Sequence, residues 1–117
     1  MDGARVLVLE DSALMAELIK DVLLDAGAIV VGTRQSVAGA LQLLALQDLD
    51  LACLDVDLGT EDSFPVADAL VDRCIPFVFV TGSRPEVLPL RHRHQGFVLK
   101  FKIAAELVTA CRAATAR

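Results

Sequence analysis

The sequence predicts one α/β domain, a five-stranded parallel sheet held between two layers of helix. Three observations carry that expectation. Short runs rich in Val, Ile, Leu and Phe recur along the chain, each closed by a turn signal or a polar residue, as strands buried on both faces are. Segments with apolar residues at helical spacing lie between them. The connections are short, so right-handed crossovers bring successive strands together in parallel. The 117 residues suffice for one domain, 1–117, with a single sizeable core.

Taken in order, Arg5–Leu9 is the first strand and runs into Glu10, Asp11 and Ser12. Leu14, Met15, Leu18, Ile19, Val22 and Leu23 then share one helical face, opposite Glu17, Lys20, Asp21 and Asp25. Asp11 or Ser12 can cap that helix, and Gly27 suits its C′ position. Ala28–Val31 reads as a second strand closed by Gly32. Ser36 caps a second helix with Val37, Ala40, Leu41 and Leu44 on one face. Residues 50–54 form the third strand. A helix opens at Asp62-Ser63-Phe64-Pro65, because proline is tolerated in a first turn, and carries Val66, Ala69 and Leu70. Pro76–Val80 is the fourth strand, followed by Thr81, Gly82 and Ser83. Arg84 to Gln95 is the least regular stretch, since Pro85 and Pro89 limit any helix there to a short one. Gly96–Leu99 is the fifth strand, and Ile103, Leu107, Val108 and Cys111 mark a closing helix.

Composition excludes several functions. The net charge of −5 does not suit a general nucleic-acid binder, which needs clustered Lys and Arg. Tyr and Trp are absent, so stacking platforms for single strands are lacking. No apolar run is long enough to span a membrane, and Met1–Arg5 lacks a signal-peptide layout. Cys53, Cys74 and Cys111 form no CxxC pair and read as buried thiols in a reducing cytoplasm. Arg91-His92-Arg93-His94 is a basic cluster, read first as a solvated face and second as a partner epitope; its histidines have no metal-ligand company.

The chemistry gathers at one edge. In a parallel sheet the carboxyl ends of the strands converge, and open α/β folds bind ligands there. Glu10 and Asp11 follow strand one, Asp55 ends strand three, Thr81 ends strand four and Lys100 ends strand five. Asp55 could simply cap a turn, with Asp57 solvated beside it. The company of the other acids argues for more. Clustered carboxylates repel unless a cation sits among them. Glu10, Asp11, Asp55 and a backbone carbonyl at Asp57 are hard oxygen ligands suited to Mg²⁺. A carboxylate can also be a nucleophile toward phosphorus. The phosphoryl oxygens of an aspartyl-phosphate would then be met by the metal, the Thr81 hydroxyl and the Lys100 ammonium.

These residues, in this order along the chain, resemble the receiver domain of response regulators in two-component signalling, over essentially the whole chain. The resemblance implies a flavodoxin-like (βα)5 sandwich with strand order 2-1-3-4-5. It implies that Asp55 takes a phosphoryl group from a histidine kinase or phosphotransfer protein with Mg²⁺ as cofactor. It makes Thr81 and Phe97 the switch pair, with an ordinary core aromatic as the other reading of Phe97, and the face of helix four, strand five and helix five the surface read by a downstream protein. A second copy of the chain, giving a homodimer, is a further partner the resemblance admits. Without an output domain, the chain resembles a stand-alone receiver that acts by protein contact.

Two departures stand out. The family places proline after the lysine, often with a cis bond; here Lys100 is followed by Phe101 and Lys102. A cis bond before Phe101 would cost about 2.5–4 kcal/mol. Either the bond is trans with Lys100 aimed differently, or the strained form is enforced; a slip that puts Lys102 in the role is a third option. Gly82 replaces the alanine common after the hydroxyl residue, which loosens that loop. Two rivals remain. Asp55-Val-Asp57-Leu-Gly59-Thr60 resembles the DxDGT-like motif of haloacid-dehalogenase-type phosphatases, although those place it on their first strand and need acids downstream of the lysine. A degenerate receiver-like module, binding partners without phosphorylation, is the other.

Overall fold

The computed structural model describes residues 1–116. Five strands form one parallel sheet in the order 2-1-3-4-5: β1 (Arg5–Leu9), β2 (Ile29–Arg34), β3 (Leu51–Leu54), β4 (Phe77–Thr81) and β5 (Gly96–Leu99). Four α-helices cover it: α1 (Ala13–Asp25), α2 (Val37–Leu46), α3 (Phe64–Asp72) and α4 (Ile103–Thr115).

The central strands are apolar throughout because they are buried on both faces, and their residues alternate between two cores. Leu7, Leu9, Leu54, Phe77 and Phe79 point toward α2 and α3. Val6, Val8, Cys53, Val78, Val80 and Val98 point toward α1 and α4. The caps lie where the sequence puts them. The Ser12 hydroxyl accepts from the Met15 amide at 3.3 Å, and Ser36 from Gly39 at 3.1 Å. Gly27 follows α1 with φ +91°, a conformation open to glycine at little cost. Pro65 sits in the first turn of α3.

Several expectations are corrected. The fourth connection contains no α-helix; its two prolines leave 3₁₀ turns at Pro85–Val87 and Leu90–His92, so the (βα)5 pattern is incomplete there. β2 does not close at Gly32 but runs to Arg34, with a register shift opposite Val6 and Leu7. On α1 the buried line is Ala16, Ile19 and Leu23, whereas Leu14 is 84% exposed and Leu18 also faces solvent. Cys53 and Cys111 are buried, their sulfurs 3.9 Å apart, but Cys74 is exposed just beyond α3. The basic cluster is not wholly solvated either: His92 is buried at 1% exposure.

Candidate functional site at the carboxyl edge of the sheet

Backbone pairing carries the site's acids past the strand ends. The Glu10 amide donates to the Arg34 carbonyl at 2.9 Å, and the Asp55 amide to the Leu9 carbonyl at 2.8 Å. Both side chains thereby stand at the same sheet edge as Thr81 and Lys100. Asp11, Asp55, Asp57, Gly59, Thr81, Gly82, Ser83 and Lys100 line an open cleft of about 320 Å³. Glu10, Asp55 and Thr81 are buried; Asp11 and Asp57 are exposed.

The Lys100 ammonium ties the acids together. It donates to Asp55 Oδ2 at 2.9 Å and stands 2.8 Å from Glu10 Oε1. The peptide bond after it is trans, as are all described here. A 3₁₀ turn over Lys100–Lys102 follows β5 directly. Lys102 does not reach the cleft: its ammonium lies over the Phe101 ring at 5.8 Å and 3.9 Å from Glu106.

Glu10, Asp11 and Asp55 each offer a carboxylate oxygen within 4.8 Å of the others, an arrangement able to hold a cation. The electrostatics fit one. Burial pushes the Glu10 carboxyl up to about 7, with Asp11 and Asp55 adding to the rise and Lys100 and the Ser12 amide opposing it. Burial would lower the Lys100 ammonium, but Glu10 and Asp55 outweigh it and hold it above its ordinary value. Glu10 Oε2 accepts from the Ser12 amide at 3.0 Å. Glu10 Oε1 faces the Lys100 ammonium at 2.8 Å. Three acids around one ammonium, two of them buried, leave a net negative charge that a divalent cation would satisfy.

The loop after β3 is built as a unit. The Leu58 amide donates to the Glu61 carbonyl, and the Ser63 amide to the Val56 carbonyl. Asp57 Oδ1 accepts from the Gly59 amide at 2.9 Å, and Gly59 takes φ +91°. The Asp57 side chain is thus spent on its own turn. Glu61, which sequence reasoning passed over, accepts from the Val37 amide at 3.0 Å and so caps α2 from the loop. Nothing in its local sequence marks that role. Thr81 Oγ1 accepts from the Ser83 amide at 3.1 Å, which leaves the hydroxyl hydrogen free to be donated into the cleft. Phe97 is half-buried against the core on the α2 and α3 side.

Comparison with known proteins agrees with this geometry. No protein-family model matches the sequence, and no curated protein does. Solved structures do match. SdrG from Sphingomonas melonis Fr1 is 37% identical, with 98% of each chain covered and a TM-score of 0.84. A second SdrG structure, in its BeF3-activated conformation, gives 0.76 with 94% of this chain and 98% of that one covered. The Erythrobacter litoralis PhyR response regulator REC domain shares the fold at a TM-score of 0.78, with 20% identity over 94% of this chain and 91% of that one. The signal receiver domain of a modulated diguanylate cyclase from Desulfovibrio desulfuricans G20 shares it at 0.83, with 24% identity over 98% and 95%. With its parallel sheet of order 2-1-3-4-5, its edge of acids, hydroxyl and lysine, and this identity along the whole chain, the protein belongs to the response-regulator receiver domains of two-component signalling.

Proposed function

We propose that Asp55 is a phosphoacceptor, taking its phosphoryl group from a histidine kinase or phosphotransfer protein. The observation that carries this reading is the seat of Asp55. It is a buried carboxylate at the floor of an open cleft, with a fixed ammonium at 2.9 Å and a donor hydroxyl on the next strand. One carboxylate oxygen attacks phosphorus while the donor's nitrogen leaves, so charge builds on the phosphoryl oxygens. Lys100 and Thr81 are in place to meet two of them.

Glu10, Asp11 and Asp55, with the backbone carbonyl of Asp57, would hold Mg²⁺. Bound there, the ion neutralises phosphoryl charge and relieves the repulsion among the acids. Thr81 turning toward the new phosphoryl group, with Phe97 following, would change the face formed by residues 84–95, β5 and α4. A downstream protein would read that face. Such a switch is a local charge change biasing a two-state element. Lys100 donates to Asp55 although no proline follows it, which favours the phosphoacceptor over a degenerate, unphosphorylated module. Family membership supports the phosphoacceptor over the DxD phosphatase reading.

Incubation with acetyl phosphate and Mg²⁺, followed by intact-mass measurement, tests the proposal. A single labile phosphoryl adduct is expected, absent in Asp55→Ala. No adduct on the wild type, or one that survives in Asp55→Ala, overturns it.

A further inference from the structure

The segment that replaces the fourth helix is neither loose nor simply surface. Arg93 folds it on itself, its Nε donating to the Leu88 carbonyl at 2.9 Å and its Nη2 to the Glu86 carbonyl at 3.0 Å. Leu88, at 2% exposure, anchors it in the core. Its second anchor is His92. The imidazole is stacked on Phe64 at 6.2 Å and meets Phe77 and Phe79 edge-on at 5.9 and 6.0 Å. Its Nε2 lies 2.7 Å from Asp68 Oδ1 on α3. Arg91 completes the contact with a two-pronged grip on the same carboxylate, at 2.8 and 3.0 Å.

Two features of this contact need explaining. First, the carboxyl of Asp68 is held below its usual range, chiefly by Arg91, so it is ionised and only accepts. The proton therefore sits on Nε2, and Nδ1 is buried among the aromatic rings with no partner. A phenylalanine would fill the same box without that orphaned atom, so burial alone does not account for a histidine. Second, the box lies on a particular face of β4. Phe77, Phe79 and Thr81 alternate onto one side of the strand, and Phe79 is paired in register with Phe97 on β5. His92 thus packs on the face that carries both Thr81 and Phe97. The segment is joined to Thr81 only through Gly82 and Ser83, and a Cβ at Gly82 would meet nothing within 4 Å.

We propose that the Asp68–His92–Arg91 contact is a latch that holds residues 84–95 against α3 in the unphosphorylated protein, making Asp68 and His92 positioning residues for the Thr81 and Phe97 switch. The proposal rests on the phosphoacceptor reading of Asp55 and specifies what resists the change. Moving Thr81 toward a phosphoryl group displaces the chain that follows it. The latch sets the free energy needed to let that chain go. A charge-assisted contact with an orphaned atom beside it is firm enough to hold the resting arrangement and weak enough to release.

The test uses the full chain with Mg²⁺ and beryllofluoride, read by amide NMR at Thr81–Ser83 and Gly96–Leu99, with hydrogen exchange over residues 84–95. Two variants are compared. Asp68→Ala removes the carboxylate, and His92→Phe keeps the aromatic box filled while losing the bond. In both, half-saturation by beryllofluoride is expected at a concentration about fivefold or more lower than in the wild type. Exchange over 84–95 is expected to quicken by a similar factor. In both variants the amides of β1 and β3 should keep their wild-type exchange, which a general loss of stability would not allow. Unchanged half-saturation and unchanged exchange in both variants overturn the latch. A wild type that ignores beryllofluoride sinks the phosphoacceptor reading instead, and exchange alone then decides whether the segment is latched.

Discussion

Lys100 donates to Asp55 at 2.9 Å although a trans bond and Phe101 follow it. The lysine is delivered by β5 and turned inward by a 3₁₀ turn that begins at the lysine itself. Installing the proline usual in the family should therefore do harm. Proline disfavours helical dihedrals in the residue before it, and Lys100 has them here. Phe101, 79% exposed, gives up little packing. Phe101→Pro is expected to cost on the order of 1 kcal/mol in urea unfolding and to slow acetyl-phosphate labelling.

The same ammonium decides what the buried acids do to stability. With Lys100 removed, Glu10 and Asp55 face each other across the site without a counter-charge. Lys100→Ala should destabilise the metal-free domain by about 3 kcal/mol at neutral pH, with Mg²⁺ restoring part of the loss. Asp55→Asn works the other way. It removes a carboxylate from beside Glu10, and should abolish labelling while leaving stability unchanged or higher by about 1 kcal/mol. Urea midpoints with and without Mg²⁺ check both.

Glu10 gives the site a pH dependence of unusual sign. Its folded value of about 7 lies above its ordinary 4.5, so between those values the folded state binds more protons than the unfolded one. Metal-free stability from this group is complete below about 4.5 and is lost as pH rises to about 7, opposite to the usual salt-bridged carboxylate. A divalent cation needs the ionised form. Its affinity should weaken roughly tenfold per unit as pH falls below about 7, with a proton released on binding. Calorimetric Mg²⁺ titrations at pH 6 and pH 8, in buffers of different ionisation enthalpy, measure both.

Much of this site is legible in the sequence because each strand is a single apolar run that ends on the residue it delivers. Val6–Leu9 into Glu10, Leu51–Leu54 into Asp55 and Phe77–Val80 into Thr81 need only a parallel sheet to converge. His92 and Glu61 were not legible for the opposite reason. Their roles depend on partners 24 residues away in chain order, Asp68 and Val37, which no local period records. In the sequence His92 stands between two arginines and reads as solvated; only the aromatic box of Phe64, Phe77 and Phe79 makes it a core residue. Leu14 failed in reverse. Its spacing fits the apolar face of α1, but the contact with the sheet is centred on Ala16, Ile19 and Leu23.

Cys74 offers a test of backbone strain away from the site. It follows α3 in the left-handed region, with φ +57°, where the helix must turn sharply into β4. Its amide donates to the Val71 carbonyl at 3.0 Å, so the turn is held by hydrogen bonding while the Cβ meets unfavourable backbone sterics. Glycine removes that cost at the one residue that needs the conformation, and the exposed thiol contributes no buried packing that would be lost. Cys74→Gly is expected to raise stability by about 1 kcal/mol, and Cys74→Val, β-branched in the same conformation, to lower it by a similar amount. Thermal unfolding of the two variants under reducing conditions reads the pair. Equal midpoints would mean that the chain relaxes out of the left-handed region and that the turn into β4 is not fixed by this residue.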